Sequence, residues 1–103
     1  MITLKRKKDF SRLYKFGRQR KNLFARLVYL RNEEGENRIE VVVSKKIGKA
    51  KVRNLIRRKF LAVLKAYSWE GQSIDIAIFP AVMAKNAHFS ELRLAIYKLL
   101  ENI

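Results

Sequence analysis

Along the segment KVRNLIRRKFLAVLKAY, the residues Val52, Leu55, Ile56, Phe60, Val63, Leu64 and Tyr67 recur at steps of three and four. At about 100° per residue this spacing gathers them into one broad apolar stripe and predicts a long helix. The other side of that helix carries Lys51, Arg57, Arg58 and Lys65, with Arg53 at the border. Lys59 falls within the apolar arc, where its stem can lie along the core while its ammonium reaches water. Leu61 points away from the arc, among the basic residues. Nearer the amino terminus, KRKKDFSRLYKFG sets Phe10, Leu13 and Tyr14 at helical spacing, with Phe16 close by. Gly17 is placed to stop this shorter helix in the left-handed conformation.

Other stretches alternate with a period of two. In QSIDIAIFP, Ile74, Ile76 and Ile78 interleave with Asp75, Ala77 and Phe79, and Pro80 closes the strand. NLFARLVYLR and RIEVVVS read as strands joined by a turn containing Asn32, Gly35 and Asn37. In the first of them Phe24, Arg26 and Val28 share one face, and Leu23, Ala25, Leu27 and Tyr29 the other. After AVMAKNAHF, Ser90 is positioned to cap a last helix with a stripe of Leu92, Ala95, Ile96, Leu99 and Leu100. The chain thus reads as helix, two or three strands, helix, strand, helix; with three strands the order is αβββαβα. We expect an α+β sandwich forming a single domain over residues 1–103, with no repeat, low-complexity tract or linker.

Charge turns this scaffold toward a class of partner. The 103 residues carry a formal net charge of +15, and a free domain would bear considerable self-repulsion that a polyanion relieves. Eleven basic residues lie between Met1 and Arg31 against Asp9 alone, and nine between Lys45 and Lys65 against no acid. Glu33, Glu34, Glu36 and Glu40 cluster instead around one turn. Segregation of this kind is the electrostatic footprint of a nucleic-acid binder. Lysine and arginine neutralise phosphates and release condensed counterions, and the arginine fork also takes a phosphate or base edge bidentately. Arg53, Arg57 and Arg58 suit fixed contacts for that reason, and Asn54 adds a donor and an acceptor beside them. Exposed aromatic residues at Phe10 and Tyr14 would stack on unpaired bases, although the same spacing also fits ordinary core packing.

Enzyme chemistry finds little support. His88 is the single histidine, there is no cysteine, and the carboxylates are scattered or sit in the acidic turn. No catalytic residue and no protein-borne metal or other cofactor is expected. The four glycines are isolated, so neither a P-loop nor a dinucleotide fingerprint is present. No run approaches the roughly 18 apolar residues of a membrane span, and the basic start MITLKRKKDF is not followed by a signal-peptide core. The expectation is a cytoplasmic protein without a membrane partner.

SKKIGKAKVRNLIRR, from Ser44 to Arg58, resembles the signature segment of the bacterial ribonuclease P protein subunit. There a strand ends in a Ser-Lys-Lys element, a glycine and a small residue follow, and an Arg-Asn pair opens a basic helix. LKRKKDFSRLYKFG resembles the first helix of that family, QSIDIAIFPA its late strand, and FSELRLAIYKLL its closing helix. The resemblance implies that Lys45, Lys46, Lys49, Arg53, Asn54, Arg57 and Arg58 meet the catalytic ribonuclease P RNA. Lys51, on the charged side of the same helix, joins them. It also implies that Phe10 and Tyr14 line a cleft holding the single-stranded 5′ leader of precursor tRNA. Hydrolysis would belong to the RNA and its Mg2+, and no protein oligomer is required. A left-handed crossover around the long basic helix is implied as well, against the usual right-handed rule. The chain departs from the family pattern at Leu55 and Leu61, where basic residues are usual, and at Phe79, where one is frequent. The alternatives are a general RNA-binding or ribosomal protein, a helix-turn-helix DNA binder, and a protein nuclease acting alone; the extended patterns argue against the second and the residue types against the third.

Overall fold

The computed structural model describes residues 2–69 and 71–103. Its elements are β1 (Ile2–Thr3), α1 (Lys7–Phe16), β2 (Arg18–Lys21), β3 (Ala25–Arg31), β4 (Arg38–Val41), α2 (Ala50–Ala66), β5 (Ile74–Pro80) and α3 (Phe89–Leu100). Short 3-10 turns occupy Lys45–Ile47 and Val82–Asn86. The expected α+β order is present, preceded by β1, whose two residues are too few to leave a sequence pattern. The strands make one sheet in the order β1-β4-β5-β3-β2. β3 is antiparallel to β2 and β5, whereas β4 is parallel to β1 and β5. α2 therefore bridges two adjacent parallel strands.

Period-two alternation gives the sheet two different faces. Ala25, Leu27, Ile39, Val41, Ile74, Ile76 and Ile78 all face the larger core, closed by Ile56, Phe60, Val63 and Leu64 of α2 and Leu92, Ile96, Leu99 and Leu100 of α3. Burying each such large apolar side chain stabilises the fold by about 1.5–3 kcal/mol. Val28 and Ala77 face the other way, into a smaller cluster with Leu4 and Leu13, on which Phe10, Leu30 and Phe79 pack. α1 covers that face only in part, which leaves room for a cleft.

Several expectations change in the structure. Leu55 is 44% exposed, and Leu61 packs against the larger core. The buried arc of α2 is centred on Phe60, and Leu55 lies five residues away, well round the helix. Leu23 and Phe24 precede β3 rather than continuing its alternation, because the Asn22 side chain accepts the Phe24 and Ala25 N–H groups and makes a turn there. Phe24 consequently packs on the larger core and Leu23 is exposed. The cap of α3 is His88, not Ser90: its backbone N–H donates to the Glu91 carboxylate at 3.1 Å.

Gly17 ends α1, but with φ −70° it is not left-handed. Glycine is needed there because a Cβ would collide with the Leu13 carbonyl oxygen and lie 2.8 Å from Val28 Cγ1. Gly17→Ala is expected to destabilise the protein by about 1–3 kcal/mol through this overpacking, read as a lower urea midpoint.

Polar groups fasten the layers at two places. Arg38, with a side chain 8% exposed, donates to both oxygens of Asp75 at 2.7 and 2.8 Å and to Asp9 at 3.2 Å. Arg6 adds a bond to Asp9 at 2.7 Å, and Asn32 one to Asp75 at 2.7 Å. This network ties α1 to β4 and β5. At the far edge, Arg20 of β2 donates to the Leu99 carbonyl at 3.1 Å and also to that of Glu101, satisfying the open end of α3.

Burial alone would push the Asp9 carboxyl up, yet the Arg6 hydrogen bond and the charges of Arg38, Arg6 and Lys8 outweigh it and hold the pKa below its ordinary 3.8. A depressed carboxylate contributes stability above its unfolded pKa and loses it as pH falls through the folded one. Stability should therefore fall on acidification below about pH 4, and less steeply in Asp9→Asn. Urea midpoints across a pH series check this.

Candidate RNA-binding site

Ser44 begins the basic surface. Its Oγ accepts the Lys46 N–H at 3.1 Å and closes the 3-10 turn on which Lys45 and Lys46 stand exposed. Gly48 then takes φ +154°, a conformation that favours glycine, and leads directly into Lys49, the N-cap of α2. Lys49 makes no side-chain capping bond, and the first turn of α2 holds no acid. The positive end of the helix dipole is thus surrounded by cations. That arrangement is unfavourable for the isolated protein and favourable for a bound anion. Lys51, Asn54 and Arg58 are exposed along the same side of α2, together with Leu55.

Arg53 and Arg57 occupy a different position. Arg53 is half-buried, and its Nε is enclosed without a hydrogen-bond partner among the described residues. Arg57 donates to the Glu40 carboxylate and to the Val41 carbonyl, clamping α2 onto β4. The structure therefore brings six of the expected contacts together as exposed groups: Lys45, Lys46, Lys49, Lys51, Asn54 and Arg58. Arg53 lies at their edge, and Arg57 carries a structural bond.

The second surface lies on the partly covered face of the sheet. Phe10 is half-buried against the smaller cluster, and Tyr14, 52% exposed, stands beside it with ring centres 5.9 Å apart. Tyr14 in turn lies 6.2 Å from Phe79 of β5, and the Arg26 guanidinium of β3 sits 4.1 Å above the Phe79 ring. Tyr14, Gln19, Arg26, Val28 and Phe79 line a pocket of about 330 Å³. Burial raises the Tyr14 phenol pKa above its usual 10, with Arg26 opposing the shift and Glu40 adding to it. The phenol keeps its proton at neutral pH and remains a hydrogen-bond donor. Glu40, whose charge favours the protonated Tyr14 phenol, is itself held by Arg57 of α2.

Gln19 and Arg26 were not singled out as site residues from sequence. The available signal was a charged residue at position 26 within an otherwise apolar strand segment. Its significance depends on the pairing of Arg26 with Phe79 across β3 and β5. Among the described residues, no group of three or more His, Asp or Glu side chains is placed to hold a metal ion, and no helix is long and apolar enough to cross a membrane.

The family model described as Ribonuclease P matches residues 2–103. The ribonuclease P protein component of Carboxydothermus hydrogenoformans is 35% identical over 104 aligned residues, covering 95% of this chain and 90% of that protein. That of Clostridioides difficile is 31% identical, covering 95% and 88%. The structure of the Staphylococcus aureus RNase P protein superposes with a TM-score of 0.86 at 27% identity, over 96% of this chain and 92% of that one. The Thermotoga maritima RNase P protein shares the fold with a TM-score of 0.86 at 24% identity, over 98% and 96%. With the family match spanning the fold and both surfaces, the chain belongs to the ribonuclease P protein family.

Proposed function

We propose that this chain is the protein subunit of a cytoplasmic ribonucleoprotein endonuclease that removes the 5′ leader from precursor tRNA. The observation that carries the reading is that a chain of this family presents two chemically different surfaces, each suited to nucleic acid. One is an exposed cationic surface at the start of α2, suited to the backbone of a folded RNA. The other is an aromatic cleft with a cationic wall, suited to an unpaired strand. Lys45, Lys46, Lys49, Lys51, Asn54 and Arg58 hold the catalytic RNA, with Arg53 at the margin; Phe10 and Tyr14 hold the leader.

No carboxylate is among the residues lining the cleft pocket, Tyr14, Gln19, Arg26, Val28 and Phe79, and the buried or paired acids elsewhere on these elements support a binding role. Glu40 is held by Arg57, while Asp9 and Asp75 are held by Arg38. Magnesium and the hydrolytic step are assigned to the RNA, and one copy of the protein suffices. Its contribution is to neutralise phosphates where RNA and precursor approach each other and to orient the leader.

The test is cleavage of a 5′-labelled precursor tRNA by a bacterial ribonuclease P RNA at low magnesium. Product ending at the mature 5′ terminus should appear only when the protein and RNA are both present. RNA binding without stimulated cleavage would favour a general RNA-binding role, and cleavage by the protein alone would overturn the assignment of chemistry to the RNA.

A further inference from the structure

Five arginines have bonds within the protein: Arg6 to Asp9, Arg12 to the Arg31 carbonyl, Arg20 to the end of α3, Arg38 to Asp9 and Asp75, and Arg57 to Glu40. Arg26 differs. It is exposed on the cleft wall, and among the described residues its guanidinium contacts the Phe79 ring and takes part in no ion pair. Its guanidinium carbon lies 4.1 Å from the centre of that ring, a cation–π contact. Among the described residues, none accepts a hydrogen bond from its N–H donors, which are open to a ligand. The ring limits the rotamer freedom that an exposed arginine would otherwise lose on binding, so the fork is held in place before any ligand arrives.

Position strengthens the case. Arg26 and Phe79 are direct partners across β3 and β5, and both line the pocket with Tyr14 and Gln19. A strand of unpaired RNA lying over Tyr14 would bring its sugar-phosphate backbone within the reach of this wall. We propose that Arg26, pre-set on Phe79, is the phosphate-binding residue of the leader cleft and takes a leader phosphodiester bidentately. This inference rests on the leader-binding reading above and assigns to β3 a contact that the basic surface of α2 does not supply.

The experiment measures the affinity of the reconstituted holoenzyme for precursor tRNA and for mature tRNA without a leader. Arg26→Ala should weaken precursor binding by about tenfold, as expected for loss of a charge-assisted bond, while leaving mature tRNA binding and affinity for the ribonuclease P RNA alone unchanged. Arg26→Lys, which retains the charge but loses the planar fork, should fall between the two. Arg26→Ala combined with Phe79→Lys, which returns a cation from the opposite strand, should recover part of the loss; a merely structural arginine would not be rescued this way. If Arg26→Ala melts early, Arg26→Gln carries the same test with much of the stem retained.

Wild-type discrimination between precursor and mature tRNA that persists undiminished in the Arg26 variants would overturn the Arg26 assignment alone. Equal binding of the two RNAs by the wild-type holoenzyme would overturn the leader reading and this inference with it. Equal loss for both RNAs would place Arg26 on the catalytic RNA or the tRNA body and would also refute the proposal.

Discussion

Replacing Arg38 with alanine is expected to destabilise the protein by about 3–5 kcal/mol, a large share of the roughly 5–15 kcal/mol typical of a folded domain. The cause is less the loss of attraction than the two carboxylates left behind. Asp75 is 1% exposed and Asp9 8%, so neither can recover full hydration when Arg38 is removed; Asp9 keeps Arg6, and Asp75 is left with no guanidinium. Neutralising them as well, in Arg38→Ala/Asp9→Asn/Asp75→Asn, should restore a substantial part of the loss because no buried charge then remains unpaired. Urea unfolding of the wild type, the single variant and the triple variant checks both statements. A single-variant loss below about 1 kcal/mol would show that water reaches the network freely.

The second large effect concerns RNA affinity. Lys45→Gln/Lys46→Gln/Arg58→Gln should lower affinity for ribonuclease P RNA by roughly 100-fold at moderate salt and reduce the slope of log affinity against log salt by about 2 to 3 units. All three side chains stand exposed on the surface, so the unfolding free energy from urea titration should stay within about 0.5 kcal/mol of wild type. Arg57→Ala is expected to behave differently, because Arg57 also holds Glu40 and the Val41 carbonyl. The sequence placed Arg57 among the RNA contacts; the clamp makes a loss of stability the expected result of its removal. A salt slope unchanged in the triple variant would remove these residues from the RNA interface.

The parts of the fold legible in the sequence are those with a local period. Ile74, Ile76 and Ile78 are buried on one face, as their alternation requires, and Phe60, Val63 and Leu64 identify the core side of α2. The ends of the stripe were less secure. Leu55 lies about 140° round the helix from Phe60 and is exposed, whereas Leu61, about 100° the other way, reaches the larger core. Arg38 was legible only as the polar start of a strand, because its partners lie 29 and 37 positions away.

The candidate site divides in the same way. The Ser44 to Arg58 surface is one continuous segment, and its charge was visible at once. The cleft joins residues from α1, β2, β3 and β5, so Gln19 and Arg26 acquired a common address only from strand pairing. Tyr14 could not be separated from core packing by periodicity, since the spacing that places it near Phe10 does not reveal how far α1 overhangs the sheet.

The two free margins of the sheet bear on how the subunit survives before it meets RNA. Exposed strand margins invite pairing with another copy and growth into aggregates. Here one margin is β1, only two residues long, and the other is β2, with the sequence Arg-Gln-Arg-Lys. A second molecule approaching β2 would meet its own positive charge, while Arg20 fastens that strand to the end of α3. Brevity on one side and repulsion on the other therefore disfavour edge-to-edge pairing of these strands between copies, a second consequence of the positive charge suited to an RNA partner.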